Sequence, residues 1–488
     1  MLGLFGHDPW KPDEAYSFGL VYHILESGDW LVPTLGGEPF VEKPPVFFWT
    51  AAIFARLFGW ALPLHDAARL ASAFFVGLAL WFTYLAAERR LSAPLLLAGC
   101  LGYLQHAHQL ITDNALVAGV AMGLYGLGAR RGLLLGTGAG IAFLSKGLLG
   151  PGFLALTAVA MLFFREWRQS RRIYARALAA FAPWALIWPW LLYRHSPELF
   201  HEWFWVNNFG RFTGSAGLGG VLDHALYAKS LAWFALPAWP LALWAVYRQR
   251  WARPLQLPIV AFVVMFAVLS AASSARTVYG LPMLVPIALL GAQGLDSLPA
   301  WIARPIDVAA VWGCALLASA LGLAWLAFTA GWRPAFLEAQ SPGYVPHIGV
   351  IAPIAALAVT GLWAAALPAE PRLPMHWLAG VTLVWGLAMT LWLPWLDHAK
   401  SYRGVIADMQ RARPQGQCVA ARALTEPQRA LFHYFAGIKA GAGDCPLLLV
   451  HTGTNEAPNV GQGWKRLWHG TRPGDTKEFF WLLRREAD

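Results

Sequence analysis

Apolar residues in this chain come in long uninterrupted blocks rather than alternating or returning once per helical turn. A bilayer core takes roughly 20 apolar residues per helix. Measured against that length, the sequence predicts about twelve spans, near 66–87, 93–111, 113–129, 132–147, 150–164, 173–193, 226–247, 256–272, 278–296, 306–329, 348–368 and 377–396. Several are short or joined by tight turns. Before them lie two helical stretches, Asp13 to Glu26 and Val46 to Phe58, separated by a segment rich in glycine and proline. After about residue 398 the apolar fraction drops and no run is long enough to span. There Cys418 to Ala421 and Leu447 to Val450 read as short buried strands, Glu426 to Gly437 as a helix and Phe479 to Leu483 as a final strand. That order predicts a small α/β domain. The chain thus divides into a first external loop with juxtamembrane helices (1–65), a transmembrane helical domain (66–397) and the α/β domain (398–488).

Composition agrees: 57% of residues are hydrophobic and 13% charged, whereas soluble proteins run nearer a quarter charged. A soluble enzyme, a disordered scaffold and a disulfide mini-protein are excluded. The formal charge of +10, from 37 basic and 27 acidic side chains, would suggest nucleic acid in a soluble protein. Here the basic residues lie between apolar runs, so membrane lipids are the expected partner and nucleic acid is not. Arg89-Arg90, Arg130-Arg131, the run from Arg165 to Arg176, and Arg248, Arg250 and Arg253 occupy alternate loops, which the positive-inside tendency assigns to the cytoplasm. Residues 1–65, the turns near Asp113, Lys146 and Arg276, the stretch 195–225, the segment 331–347 and the C-terminal domain then face outward. Nearly every unusual polar residue is in this second set, which favours a site at the outer membrane surface. Cys418 and Cys445 begin the two predicted strands; a disulfide in an oxidising compartment and a pair of buried thiols both remain open.

The candidate chemistry starts at Asp13-Glu14, behind Pro12 at a helix start. The same pair would serve as an ordinary N-terminal cap favoured by the helix dipole. Glu42-Lys43 stands before Pro44-Pro45, which force an extended approach and then start a helix; a snorkelling lysine reads equally well there. The N-terminus, Met1 to Trp10, is too short to span and lacks the basic region and cleavage site of a signal peptide.

Taken together, Asp13-Glu14, the run Glu26 to Leu35, Gly37-Glu38-Pro39-Phe40 and Glu42-Lys43-Pro44-Pro45 resemble the first external loop of bacterial GT-C glycosyltransferases, above all the lipid A aminoarabinose transferases and the wider protein-mannosyltransferase-like group. The resemblance continues through Leu144-Ser145-Lys146-Gly147, Trp188-Pro189-Trp190, Asn207 to Phe212, Ala275-Arg276 and Tyr279 to Pro282, and covers nearly the whole chain. It implies a polytopic GT-C fold and a site in the bacterial inner membrane facing the periplasm. The implied reaction moves a sugar from polyprenyl phosphate to a lipid, glycan or protein acceptor with inversion. In that family a membrane span precedes the acidic pair, so a missing first helix is expected here. The resemblance assigns Asp13 and Glu14 to catalysis, and Lys43, Arg211 and Arg276 to the donor phosphate. It assigns Glu42 and His224 to a divalent metal, zinc by analogy, with Asp113 and Lys146 as secondary candidates. The rival reading is a lipid or polysaccharide transporter whose outward polar residues only hold head groups. That reading calls for ionisable residues near the midplane and an internal duplication, and neither is clear.

Overall fold

A computed structural model describes residues 1–215, 223–346, 349–369, 372–441 and 443–486. Part of the outward stretch 195–225, residues 216–222, lies outside the described residues, as does position 348 of the span expected at 348–368. Every expected span contains helix. By length and composition, six helices among the described residues are fit to cross a membrane: Leu64–Ala86, Arg171–His195, Arg253–Ala271, Thr277–Asp296, Ala300–Thr329 and Arg372–Leu391. A seventh arises if Leu226–Phe234 and Ala238–Gln249, bent by 101°, count as one. The count of about twelve is therefore not reached on length alone. The run 93–111 is split at Cys100, whose backbone is extended, and Gly132–Lys146, Leu149–Met161 and Ile351–Ala366 are apolar but short. The outer faces bear the mark of a lipid solvent. Trp301, Trp312, Leu316 and Leu323 on one helix, and Ile354, Leu357 and Leu362 on another, are all exposed, where a water-soluble protein would carry charge.

Small residues let the helices that carry the site approach closely. A Cβ on Gly138 would lie 2.5 Å from the Gly119 carbonyl oxygen, so Asp113–Gly128 and Gly132–Lys146 form a hairpin with backbones nearly touching. The hairpin brings its two ends, Asp113 and Lys146, together.

In the first loop, α1 (Asp13–Ser27) is followed by a short hairpin, β1 (Thr34–Leu35) with β2 (Glu38–Pro39), and then α2 (Val46–Phe58). Asp29 accepts the backbone N–H groups of Leu31 and Val32, and the indole of Trp188 donates to Leu31 O at 3.1 Å, tying the loop to a membrane helix. The end of α1 nearest the site is fixed by charge. Glu14, 4% exposed, accepts from Arg69 Nε at 3.0 Å and from the Leu110 N–H at 3.0 Å. Arg69, fully buried on α3 (Leu64–Ala86), also donates to Asp66 and to the His7 carbonyl. Burial alone would raise the Glu14 pKa, but the Arg69 and His7 charges bring it down to about 2.

The C-terminal sheet has the order β3-β4-β6-β5, with β3 (Val419–Arg422), β4 (Leu447–Thr452), β5 (Trp464–Gly470) and β6 (Phe479–Arg485). β3 and β4 are parallel, as a crossover through the Glu426–Ala436 helix requires. β6 pairs antiparallel with β4 and β5. The helix opens with a capping box between Thr425 and Gln428 and closes on Gly437. Strand β5 was not expected, because its Lys465 and Arg466 are exposed at the sheet edge and break the apolar run. Cys418 and Cys445 form a disulfide beside the parallel pair, which resolves the alternative left open by their spacing.

Two parallel helices join the domain to the membrane part. Gly19 of α1 has no room for a side chain, since a Cβ there would lie 2.5 Å from Ala430 Cβ. Farther along, Tyr22 meets His433 edge-on and Glu26 pairs with His433 at 3.1 Å.

Two stability effects follow. Glu14→Ala removes one of the two carboxylates that hold the buried Arg69 and leaves the Leu110 N–H without its acceptor, and is expected to cost about 3–5 kcal/mol. Gly19→Ala forces α1 and the Glu426–Ala436 helix apart and is expected to cost about 1–3 kcal/mol. Both are read as a lowered thermal midpoint of purified protein in detergent; an unchanged midpoint for Glu14→Ala would contradict the anchoring role.

Candidate functional site

Asp13 and Glu14 are neighbours in sequence, but successive residues on a helix point about 100° apart. The structure separates them accordingly. Glu14 turns inward to Arg69 and does not face the cavity, which corrects its assignment as a catalytic residue. Asp13 turns outward: its Oδ1 accepts the Tyr16 hydroxyl at 2.6 Å and lies 3.6 Å from Lys43 Nζ and 3.8 Å from Arg276 Nη1.

Lys43 is held by the turn into α2 and is 7% exposed. It donates to the Tyr16 hydroxyl, and its ammonium lies 4.4 Å from the centre of that ring. Burial first, and then the nearby Lys146 charge, lower its pKa to about 8, with Asp13 and Asp113 opposing. Lys43, Tyr16 and Asp13 thus form a hydrogen-bonded relay. Tyr16 was missed in the sequence, where a tyrosine on the first turn of a helix looks like any core aromatic.

Beside this relay, Lys146 pairs with Asp113 at 3.0 Å and stands 4.3 Å over the Tyr279 ring. Arg211 pairs with Glu42 at 2.6 Å, and Ser273 Oγ donates to the Arg211 carbonyl at 2.8 Å. Arg211 follows a π-helical stretch, Glu202–Gly210, in which Asn208 Oδ1 accepts the Leu148 N–H at 3.0 Å. The Nε of Arg211 and Oδ1 of Asp113 are buried without a hydrogen-bond partner among the described residues. Buried polar atoms are normally satisfied, so these two mark a place prepared for a polar ligand.

The two ion pairs, Lys43 and Tyr279 meet at one cavity of about 280 Å³, while Asp13, Tyr16 and Arg276 are outside its lining and adjoin it through Lys43. Glu42, Lys43, Asp113, Lys146, Arg211 and Tyr279 line one part of it, and Leu116, Leu149, Leu156, Phe209, Val268 and Leu269 the rest. A cluster of cations opening onto an apolar channel suits an amphipathic ligand with an anionic head.

His224 is not part of the cavity lining. It is exposed, and its Nδ1 lies 2.6 Å from the Ser270 carbonyl oxygen. Glu42 is engaged by Arg211, and no group of three or more His, Cys, Asp or Glu side chains among the described residues could hold a metal ion. Protein zinc sites use three or four ligands, so the expected pairing of Glu42 with His224 does not fit a metal here.

Residues 42–191 match the family of dolichyl-phosphate-mannose-protein mannosyltransferases. The undecaprenyl phosphate-alpha-4-amino-4-deoxy-L-arabinose arabinosyl transferase of Pseudomonas paraeruginosa is 30% identical over 428 residues, covering 80% of this chain and 73% of that protein. Its namesake in Pseudomonas aeruginosa is 29% identical over 431 residues with the same coverage. The crystal structure of ArnT from Cupriavidus metallidurans bound to undecaprenyl phosphate superposes with a TM-score of 0.69 over 99% of this chain and 95% of that one, at 18% identity. Its apo form gives 0.68 at 16% identity. The fold, the relatives and the apolar spans agree: this chain is a multi-pass membrane glycosyltransferase and belongs to the undecaprenyl phosphate-aminoarabinose arabinosyl transferase family.

Proposed function

We propose that the protein takes a sugar from a polyprenyl phosphate and passes it, with inversion, to an acceptor on the periplasmic side of the bacterial inner membrane. The observation that carries this reading is the cavity in which Lys43, Lys146 and Arg211 stand at the head of an apolar channel. The relatives' names specify undecaprenyl phosphate-linked aminoarabinose as their donor, and the same chemistry suits the ligand class of this cavity.

Each residue has a role that the reaction needs. As the bond from the anomeric carbon to the phosphate oxygen breaks, its electron pair stays on the lipid phosphate. Lys43 and Arg211, with Arg276 at the rim, are suited to stabilise that charge where water is scarce. The acceptor oxygen forms the new bond from the opposite face, and Asp13 accepts the proton of an acceptor hydroxyl. If the acceptor is itself a phosphate, as on lipid A, little base is needed and Asp13 acts by orientation. Lys146 and Asp113, tied to each other, fix the floor of the site. No step requires a metal in this reading.

Two features support a periplasmic site. The arginine-rich loops fall on alternate connections, and the Cys418–Cys445 disulfide belongs to an oxidising compartment. The acceptor, whether lipid A, another envelope glycan or a protein, is best sought by mass spectrometry of envelope lipids and glycoproteins from a deletion strain.

Replacing Asp13 by Asn is expected to slow sugar transfer about 10²–10⁴-fold, and Lys43→Ala about 10²–10³-fold. Both are measured with purified full-length protein in detergent and a polyprenyl phosphate sugar. Undiminished transfer by both variants would defeat the assignment, and absence of any new glycosidic bond from the unaltered protein would favour transport over transfer.

A further inference from the structure

Asp13 sits at the first position of α1, where an acidic side chain ordinarily serves the unpaired N–H groups of the helix end. Here its one hydrogen bond among the described residues is with the Tyr16 hydroxyl, three residues on and on the same face of the helix. The ring of Tyr16 is buried against Phe40, with centres 5.6 Å apart, which fixes where that hydroxyl stands.

The chemistry of the three groups leaves one arrangement of protons. An ammonium only donates, an ionised carboxylate only accepts, and a phenol has a single O–H beside its lone pairs. Lys43 donates to the Tyr16 oxygen, so the Tyr16 proton is spent on Asp13, at 2.6 Å. The hydroxyl thus stands between base and cation. Lys43 Nζ stays 3.6 Å from the carboxylate, beyond the roughly 2.7–2.9 Å of a direct charge-assisted bond. Its other N–H groups are left for a ligand of the cavity that Lys43 lines. The two carboxylate oxygens are not equivalent either: Tyr16, Lys43 and Arg276 all come nearest to Oδ1. Oδ2 accepts no hydrogen bond among the described residues, and the Asp13 side chain is 25% exposed against 9% for Lys43.

We propose that Tyr16 is a positioning residue of the transfer reaction: its hydroxyl holds Asp13 by Oδ1, so that Oδ2 is the oxygen presented to the acceptor, and keeps Asp13 and Lys43 from closing into a direct pair. The inference rests on the reading above of Asp13 as the group that meets the acceptor. With a hydroxyl acceptor, the O–H bond breaks and its proton passes to Oδ2. The acceptor oxygen bonds to the anomeric carbon, and the electron pair of the broken bond stays on the lipid phosphate. Without the Tyr16 hydroxyl, the ammonium takes the carboxylate itself. Base and cation are then both diverted, one from the acceptor and the other from the donor.

The test is a double-mutant cycle on purified full-length protein: unaltered, Tyr16→Phe, Asp13→Asn and the two combined. Tyr16→Phe keeps the ring beside Phe40 and beside the Lys43 ammonium, 4.4 Å from its centre, and removes the hydroxyl alone; an unchanged thermal midpoint checks this. In undecaprenyl phosphate titrations, Tyr16→Phe is expected to weaken binding about twofold to fivefold, the scale of one partly exposed ion pair. In the Asp13→Asn background it should change nothing. In turnover with undecaprenyl phosphate-linked aminoarabinose and lipid A, Tyr16→Phe should lower kcat about 10–100-fold, the cost of a misplaced reacting group. KM for the donor should rise no more than binding weakens, and the combined variant should be no slower than Asp13→Asn alone. Equal losses in both backgrounds would show that Tyr16 does not act through Asp13 and would overturn the proposal, as would an undiminished kcat in Tyr16→Phe. Undiminished transfer by Asp13→Asn would overturn the role of Asp13 on which the inference rests. Failure of the unaltered protein to bind undecaprenyl phosphate, or to transfer from its aminoarabinose ester, would overturn the donor reading and this inference with it.

Discussion

A cation taken out of water is costly unless an opposite charge stands beside it, yet an enzyme that handles a lipid phosphate at a membrane surface must keep cations there. This chain meets both demands by pairing each one: Lys43 with Asp13, Lys146 with Asp113 and Arg211 with Glu42. The pairs come from distant parts of the sequence, so the fold around them must be held firmly. The hairpin from Asp113 to Lys146 needs glycine at its closest approach, the first loop is tied to a membrane helix through Trp188, and α1 is anchored by the buried Glu14–Arg69 pair. In the proposed reading, the carboxylates keep the cations charged and oriented until a phosphate takes their place.

The same arrangement explains why the soluble-looking domain belongs to the catalytic unit. Its helix packs parallel to α1 closely enough that Gly19 has no room for a methyl group, and Ala15 of α1 joins the domain's own core with Phe432 and Leu431. Displacing the domain would therefore disturb the helix that carries Asp13.

Much of this was legible in the sequence, and the exceptions have physical causes. Apolar runs located helices at every expected span, but run length does not show where a backbone breaks, as at Cys100, so length and composition alone count six or seven full spans among the described residues beside the twelve expected. The acidic and basic residues of the first loop, with Arg211 and Arg276, were found as a set, and the structure gathers them. Glu14 was grouped with Asp13 because they are adjacent, and only the helix rotation together with the distant Arg69 separates them. His224 followed from a loose match to its surroundings, and the structure leaves it exposed and outside the cavity lining.

The central claim is that these paired cations exchange their carboxylates for a lipid phosphate. A structure of the full-length protein with undecaprenyl phosphate bound tests it most directly. The account predicts the phosphate within about 4 Å of Lys43 Nζ and the Arg211 guanidinium, Arg211 withdrawn from Glu42, and the prenyl tail along Leu149, Leu156, Val268 and Leu269. A head group seated instead in the aromatic groove of Trp30, Trp49, Trp184 and Trp188, with the Arg211–Glu42 pair intact, would contradict it.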